Sequence, residues 1–164
     1  MSLQENVLIH KVINTLQANE QKSAIEWINK ITDYLQDNDN GKVLPGWDWE
    51  HTQVLVGYHL AKETISVIID DFGNISGIFM WYRCDEDDGW EFIKNWEPDK
   101  PDGNAIFLAF ILADNTEAFK KLICDIIAKE PDVLTHKLTT LRERKGGVRK
   151  VKYDLRVFNK ILKL

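Results

Sequence analysis

The sequence predicts an α+β fold, a mostly antiparallel mixed sheet with helices on its faces, preceded by an N-terminal helical pair. Three observations support this. Apolar residues recur at helical spacing before residue 38, apolar runs of strand length occupy residues 75–83 and 105–113, and residues 150–157 alternate between charged and apolar. Because most helices precede the strands, the pattern is of the α+β type. We expect a helical hairpin over residues 1–38, packed on an α+β domain over residues 39–164.

Two helices are predicted first, over residues 2–17 and 20–36. The second has the clearer apolar stripe, with the spacing i, i+4, i+7 and i+11. The stripe consists of Ala24, Ile28, Ile31 and Leu35. It fits an αα-hairpin packed on the domain. Because the spacing is also that of a heptad repeat, it fits a dimerisation element too, although two heptads fall short of the roughly three to four that identify a coiled coil.

A third helix and a β-hairpin follow. Turn dipeptides end the second helix, and a helix is predicted over residues 48–62, although residues 54–56 could equally begin a strand. Residues 65–71 and 75–83 alternate as two strands around a Gly-Asn turn. The returning strand has large apolar side chains on both faces, as has the run at residues 105–113. Both are therefore predicted to be central strands, covered on both sides.

A helix and a final hairpin complete the predicted fold. Asp114 and Glu117 have the spacing of a capping box, which predicts Asp114 as the N-cap of a helix that extends to about residue 129. Pro131 ends this helix. Residues 133–141 and 148–158 then flank the sequence Arg-Lys-Gly-Gly and are predicted to form a long hairpin.

The last 29 residues carry charge of opposite sign to the rest. Residues 136–164 contain ten Lys or Arg against two acids, a formal charge of +8; since the whole chain carries −5, the first 135 residues carry −13. Such segregation indicates a surface that meets an anion or an oppositely charged partner. The alternative is a solvated edge strand protected by Lys and Arg. The residues predicted to bind are Arg142, Arg144, Lys145, Arg149, Lys150, Lys152 and Arg156.

Composition and motifs limit the cellular compartment and the kinds of catalytic or metal site that can be expected. No apolar run approaches the ~18 residues of a membrane span, and the first residues lack the pattern of a signal peptide. Two isolated cysteines, Cys84 and Cys124, fit a reducing cytoplasm. His51 and His59 lie eight residues apart and could share a helix face, but no zinc, nucleophile-elbow or phosphate-loop motif occurs. No metal site, cofactor or catalytic residue is therefore assigned.

Five of the six tryptophans lie between residues 47 and 96, around the predicted central strand. Tryptophans in loops can stack on a ligand or anchor an interface, or they can simply cover the edges of a small sheet. The residues selected as lining a pocket are Trp81, Trp90, Trp96 and Asp114. The acidic loop at residues 85–88 lacks the spacing of a calcium loop, so we expect a solvated turn.

The order of elements and three sequence pieces carry a family resemblance. The pieces are GNISGIFMWYRC, AIFLAFILADN and KLTTLRERKGGVRKVKYDL. Over residues 49–160 the chain resembles the GNAT-type N-acyltransferases, nearest to their divergent branch of toxin-activating and phage acyltransferase-like proteins. The resemblance implies a β-hairpin that leads into a central strand, a helix packed beneath it, and two strands that close the sheet. For the toxin-activating branch it also implies an acyl group delivered by acyl carrier protein.

The chain departs from this family where the chemistry would lie. Family members hold the coenzyme A pyrophosphate on a glycine-containing loop at a helix N-terminus, whereas residues 113–119 contain no glycine. Asp114 and Glu117 would repel a pyrophosphate there. The strand aspartate of the toxin-activating branch falls near Ala109, which has no acid–base chemistry. The resemblance therefore implies an acyltransferase-like domain without the usual coenzyme A site.

Three functions fit these observations. The first is an acyltransferase-like domain whose basic hairpin receives an acidic protein, such as a carrier protein, or a phosphate-bearing ligand. The second is a non-enzymatic interaction or structural protein, of phage origin, with the N-terminal helices as the element of a homodimer. The third is a nucleic-acid binder that uses the basic hairpin. The net charge of −5 and the lack of aromatic residues on the charged face are evidence against this third function. No membrane partner is expected.

Overall fold

A computed structural model describes residues 18–38, 46–85, 100–134, 137–144, 147–153 and 155–162. The chain divides into two compact units, one ending at Ile65 and one beginning at Ser66. The predicted helix over residues 2–17 lies outside the described residues, so the predicted N-terminal pair and the boundary at residue 38 stay predictions. Within the described ranges, no helix is both long enough and apolar enough to cross a membrane.

Two antiparallel helices form the described part of the first unit. Helix α1 spans Ala18–Asn38 and helix α2 spans Trp49–Lys62. The Gln53 side-chain amide donates to Asn29 Oδ1 at 2.8 Å, and the Trp49 indole donates to Asp33 Oδ1 at 2.7 Å. These contacts run in opposite directions along the two helices, which shows that the helices are antiparallel. The apolar stripe predicted on α1 is buried at Ile28, Ile31 and Leu35 and half-buried at Ala24.

Five strands form one mixed sheet, ordered β1-β2-β3-β4-β5. They are β1 (Ile65–Ile69), β2 (Ile75–Cys84), β3 (Ala105–Ala113), β4 (Lys137–Arg144) and β5 (Gly147–Tyr153). Strand β1 turns directly into β2, β2 and β3 are antiparallel, β3 and β4 are parallel, and β4 and β5 are antiparallel. The α+β class and the mostly antiparallel mixed sheet are therefore confirmed. Strand β1 is shorter than predicted, because Asp70 and Asp71 belong to the turn.

Helix α3, Thr116–Lys129, packs on one face of β2 and β3. The buried members of this core are Phe79, Trp81, Ile106, Leu108, Leu122, Ile123, Ile126 and Val133. On the opposite face of the sheet, Ile78, Met80 and Tyr82 are also buried. The prediction of a central strand covered on both faces is confirmed for β2 by this burial.

The C-terminal segment differs from the prediction at both ends. Pro131–Leu134 forms a 3-10 helix that buries Val133 in the core, so β4 begins at Lys137 and not at residue 133. Strand β5 ends at Tyr153, and helix α4 spans Leu155–Leu162. The prediction of a strand to residue 158 is wrong. Apolar residues at 155, 158, 161 and 162 have helical spacing, and Ile161 and Leu162 pack against the core, which favours the helix.

A substitution at Gly103 tests the packing where β2 ends and β3 begins. A Cβ at Gly103 would lie 2.7 Å from the Cys84 carbonyl carbon, so backbone must move. We expect Gly103→Ala to lower the free energy of unfolding by about 2 kcal/mol or more. Gly46→Ala is the control, because Gly46 has a positive φ of 73° but open space around it, and it should cost only about 1 kcal/mol. Equal losses in urea unfolding would contradict the steric argument.

Candidate functional site

The parallel strands β3 and β4 separate halfway along β3. Their pairing joins Ala105–Leu108 to Lys137–Thr140. Beyond this, in the described strands, β3 continues to Ala113 paired with β2, and β4 continues to Arg144 paired with β5. The carboxyl-terminal halves of these two parallel strands are therefore not paired with each other. Gaps of this kind at the carboxyl ends of parallel strands are common ligand sites.

A β-bulge marks the point of separation. Met80 lies opposite Phe110 and Trp81 lies opposite Leu108, which leaves Ala109 as the extra residue in β3. An extra residue reverses the alternation of side chains. As a result Ile111, beyond the bulge, packs against the same core as Leu108 before it. The bulge keeps the apolar side chains on the α3 face while the strand leaves β4.

Among the strands that the structure describes, none pairs with the second half of β3 on its β4 side. The Asp114 N–H donates to the Ser76 carbonyl at 2.8 Å, so Asp114 hydrogen bonds toward β2. Because successive residues of an antiparallel strand alternate in direction, Ala113 and Ile111 direct their N–H and C=O groups away from β2. Ile111 is half-buried and Ala113 is exposed, whereas Ala105–Leu108 is buried. We call this stretch of backbone, Ala109–Ala113 beside β4, the β3 groove.

Helix α3 begins directly after the groove. Its N-cap is Asn115, whose Oδ1 accepts from the Ala118 N–H at 2.8 Å. The prediction of Asp114 as N-cap is wrong because the Asp114 N–H extends the β2–β3 ladder, which delays the helix by one residue. Asp114 and Glu117 are both exposed beside the groove, and Glu117 pairs with Lys121 at 3.2 Å. Lys121 therefore balances the charge of Glu117 on the same helix.

The basic hairpin, defined here as β4 and β5, forms the other side of the groove. Arg142 lies opposite Arg149 and Leu141 opposite Lys150, so two guanidinium-bearing positions are directly paired across the hairpin. Like charges in such a pair destabilise the strands unless an anion or solvent screens them. Of the other predicted binding residues, Arg144 and Lys152 lie on the hairpin and Lys145 lies outside the described residues. The placement of Arg156 on the hairpin is wrong, since helix α4 contains it.

Of the four residues selected for a pocket, the structure describes Trp81 and Asp114, and these two lie far apart. Trp81 is fully buried, and its indole N–H donates to Glu130 Oε1 at 3.2 Å. Asp114 is exposed and lies beside Ser76, roughly 17 Å along β2 from Trp81 at the usual rise per residue. Trp90 and Trp96 lie outside the described residues. Trp81 therefore packs under α3.

Composition alone did not reveal an ion-pair cluster at the far end of the sheet. Arg83 Nη2 donates to Glu130 Oε2 at 2.8 Å and to Asp132 Oδ2 at 3.3 Å, and Arg83 Nη1 donates to the Gly103 carbonyl at 3.4 Å. The Arg83 side chain is 16% exposed and the Glu130 side chain 22% exposed. The cluster joins β2 to the C-terminal end of α3. Its only sequence signal was an arginine in an otherwise apolar strand.

The two histidines of α2 have different surroundings. His51 is exposed, and both its backbone N–H and its ring contact Asp48, the N-cap, so the backbone hydrogen bond lowers the pKa of Asp48. His59 is fully buried, with Nδ1 2.8 Å from Thr64 Oγ1. Burial lowers the pKa of His59 to about 3, although a hydrogen bond with the Thr64 backbone acts in the opposite direction. The described residues contain no group of three side chains able to hold a metal ion.

No protein-family model matches the chain, and no curated protein matches its sequence. The β3 groove and the basic hairpin are therefore the features that indicate a function.

Burial of neutral His59 predicts acid sensitivity. In the unfolded chain, His59 binds a proton near pH 6.5, whereas in the folded chain it binds one only near pH 3. Because protonation favours the unfolded chain, stability is lost as the pH falls below 6.5. We expect the free energy of unfolding to fall by about 2 kcal/mol between pH 7 and pH 5. Urea unfolding of His59→Gln should lose this slope. The exposed control His51→Gln should keep it, and a wild-type slope in His59→Gln would contradict the assignment.

Removal of Glu130 should be costly. Glu130→Ala leaves the Trp81 indole and the mostly buried Arg83 guanidinium without their shared carboxylate, so we expect a loss of about 2–3 kcal/mol in thermal or urea unfolding. Asp132→Ala is the matched control. Its side chain is 56% exposed, and its loss should cost less than about 1 kcal/mol. The cluster would be unimportant if the two variants unfolded alike.

Proposed function

We propose that this chain is an acyltransferase-like binding module whose β3 groove receives an extended, amide-bearing chain and whose basic hairpin receives an acidic carrier protein. The observation that carries the proposal is the separation of β3 from β4 at Ala109. Backbone N–H and C=O groups that face such a gap can pair with an extended ligand as a further strand would. The prosthetic arm of an acyl carrier protein is of this kind, since it is a narrow chain with two amides.

Charge favours a carrier protein over free coenzyme A as the donor of this arm. Residues 113–119 contain no glycine that would let backbone N–H groups hold a pyrophosphate, and the exposed carboxylate of Asp114 opposes one there. Across the groove, the basic hairpin has seven Lys or Arg and one acid over residues 137–153. Complementary charge of this extent raises the rate of association with an acidic protein. The acyl group would then arrive on the arm while the carrier rests on the hairpin.

The order of elements supports the acyltransferase likeness. A hairpin leads into the central strand β3, helix α3 packs beneath it, and two further strands complete the sheet. This is the arrangement that the resemblance to GNAT-type acyltransferases implies. The proposal assigns no catalytic residue, because Ala109 and its neighbours on β3 carry no acid–base group.

Binding of holo and apo acyl carrier protein tests both halves of the proposal. We expect the holo form, which has the arm, to bind roughly tenfold more tightly than the apo form in calorimetric titration at low salt. Arg142→Gln with Arg149→Gln should weaken both forms and reduce the dependence on salt. Ala113→Pro removes an N–H that faces the groove but spares the ladder to β2, so it should abolish only the advantage of the holo form.

Thermal unfolding of each variant serves as the control for folding. The groove assignment is wrong if holo and apo forms bind equally, and the carrier assignment is wrong if neither binds. Salt-sensitive binding to arbitrary DNA or RNA, lost in the Arg142/Arg149 variant, would replace the carrier with a nucleic acid.

A further inference from the structure

The turn between β1 and β2 presents a phenylalanine to solvent. Phe72 is 90% exposed, whereas the other exposed large apolar side chains among the described residues, Ile25, Trp27 and Ile69, are 37–42% exposed. A lone apolar side chain on a surface is ordinary. Aromatic residues are nevertheless enriched in protein interfaces, and Phe72 is far more exposed than the others. Its energetic contribution would come from a pocket on another molecule.

The turn holds Phe72 in a defined position. Asp70 Oδ1 accepts from the Phe72 N–H at 2.9 Å and from the Asn74 N–H at 2.8 Å. The Gly73 N–H donates to the Asp70 carbonyl at 3.0 Å, and Gly73 has a φ of 81°, which favours glycine. A turn with this many internal hydrogen bonds loses little conformational entropy when its tip is bound.

The sheet topology places opposite charges at opposite edges of one end. Strand β1 lies at one edge and β5 at the other, with three strands between them, so about 19 Å separates the edges at normal strand spacing. The turn Asp70–Asn74 and the last residues of β3 and β4 all lie at the same end of the sheet. This follows because β3 is antiparallel to β2 and β4 is parallel to β3. Asp70 and Asp71 lie beside Phe72, while the basic hairpin lies across the sheet.

We propose that a second copy of this chain binds the Phe72 turn with its basic hairpin, in an end-to-end dimer. Within one copy the turn cannot reach the hairpin across the sheet. A two-fold axis normal to the sheet brings the β1 edge of each copy against the β5 edge of the other, so that the contact of acidic turn with basic hairpin occurs twice. Charge complementarity selects this occupant, and Phe72 supplies the apolar anchor. The dimer stands independently of the carrier proposal.

Sedimentation equilibrium over a range of protein and salt concentrations tests the dimer. Wild-type chain should self-associate, with a dissociation constant that rises with salt. Phe72→Ser should weaken association roughly tenfold or more. Trp27→Ser, which removes an exposed aromatic from α1, is the matched control and should associate as wild type does.

A charge exchange identifies the surfaces that meet. Asp71→Lys and Lys150→Glu should each weaken association, because each creates a like-charge contact, and the double variant should recover much of it. The proposal is overturned if the wild-type chain stays monomeric at the highest soluble concentration or if Phe72→Ser associates normally. It is also overturned if Trp27→Ser is as damaging as Phe72→Ser. None of these results depends on whether a carrier protein binds the groove.

Discussion

The pairing of β2 with β3, buried on both faces, is the constraint on which the described sheet depends. Buried backbone groups must be hydrogen bonded, so β3 needs a strand on each side wherever no ligand or solvent can reach it. Between Ala105 and Leu108 it has both, and beyond the Ala109 bulge it keeps only β2. The same irregularity keeps Ile111 on the core face, so one extra residue both preserves the core and opens the groove.

The two ends of the sheet have different roles. At one end, Arg83 and Trp81 share the Glu130 carboxylate, and Gly103 packs directly on the Cys84 backbone. These contacts leave little room for change and contribute to stability. The opposite end contains the β3 groove, the acidic Asp70–Asn74 turn and the basic hairpin. Binding at this end would disturb few of the contacts that hold the core together.

Both proposals use the basic hairpin, in which positions 142 and 149 share one face of the sheet and position 150 belongs to the other. Arg142 and Arg149 are neighbours by register, and an anionic surface placed over them relieves their repulsion whether it belongs to a carrier or to a second copy. In the end-to-end dimer the mouth of the β3 groove faces the other copy. Self-association and carrier binding would then exclude each other, which is a simple means of control by concentration.

The sequence by itself determined the α+β class, the apolar stripe of α1, the two central strands and helix α3. In each of these elements a long, regular pattern of apolar residues marks the face that must be buried in any fold. It did not determine local choices between neighbouring solutions. Asn115 and not Asp114 caps α3, since the ladder to Ser76 uses the Asp114 N–H, and residues 155–162 form a helix because Ile161 and Leu162 reach the core. The bulge at Ala109, the exposure of Phe72 and the sharing of Glu130 were likewise decided by tertiary structure. Each depends on which distant residue lies opposite, and a one-dimensional pattern of apolar and polar residues does not contain that register.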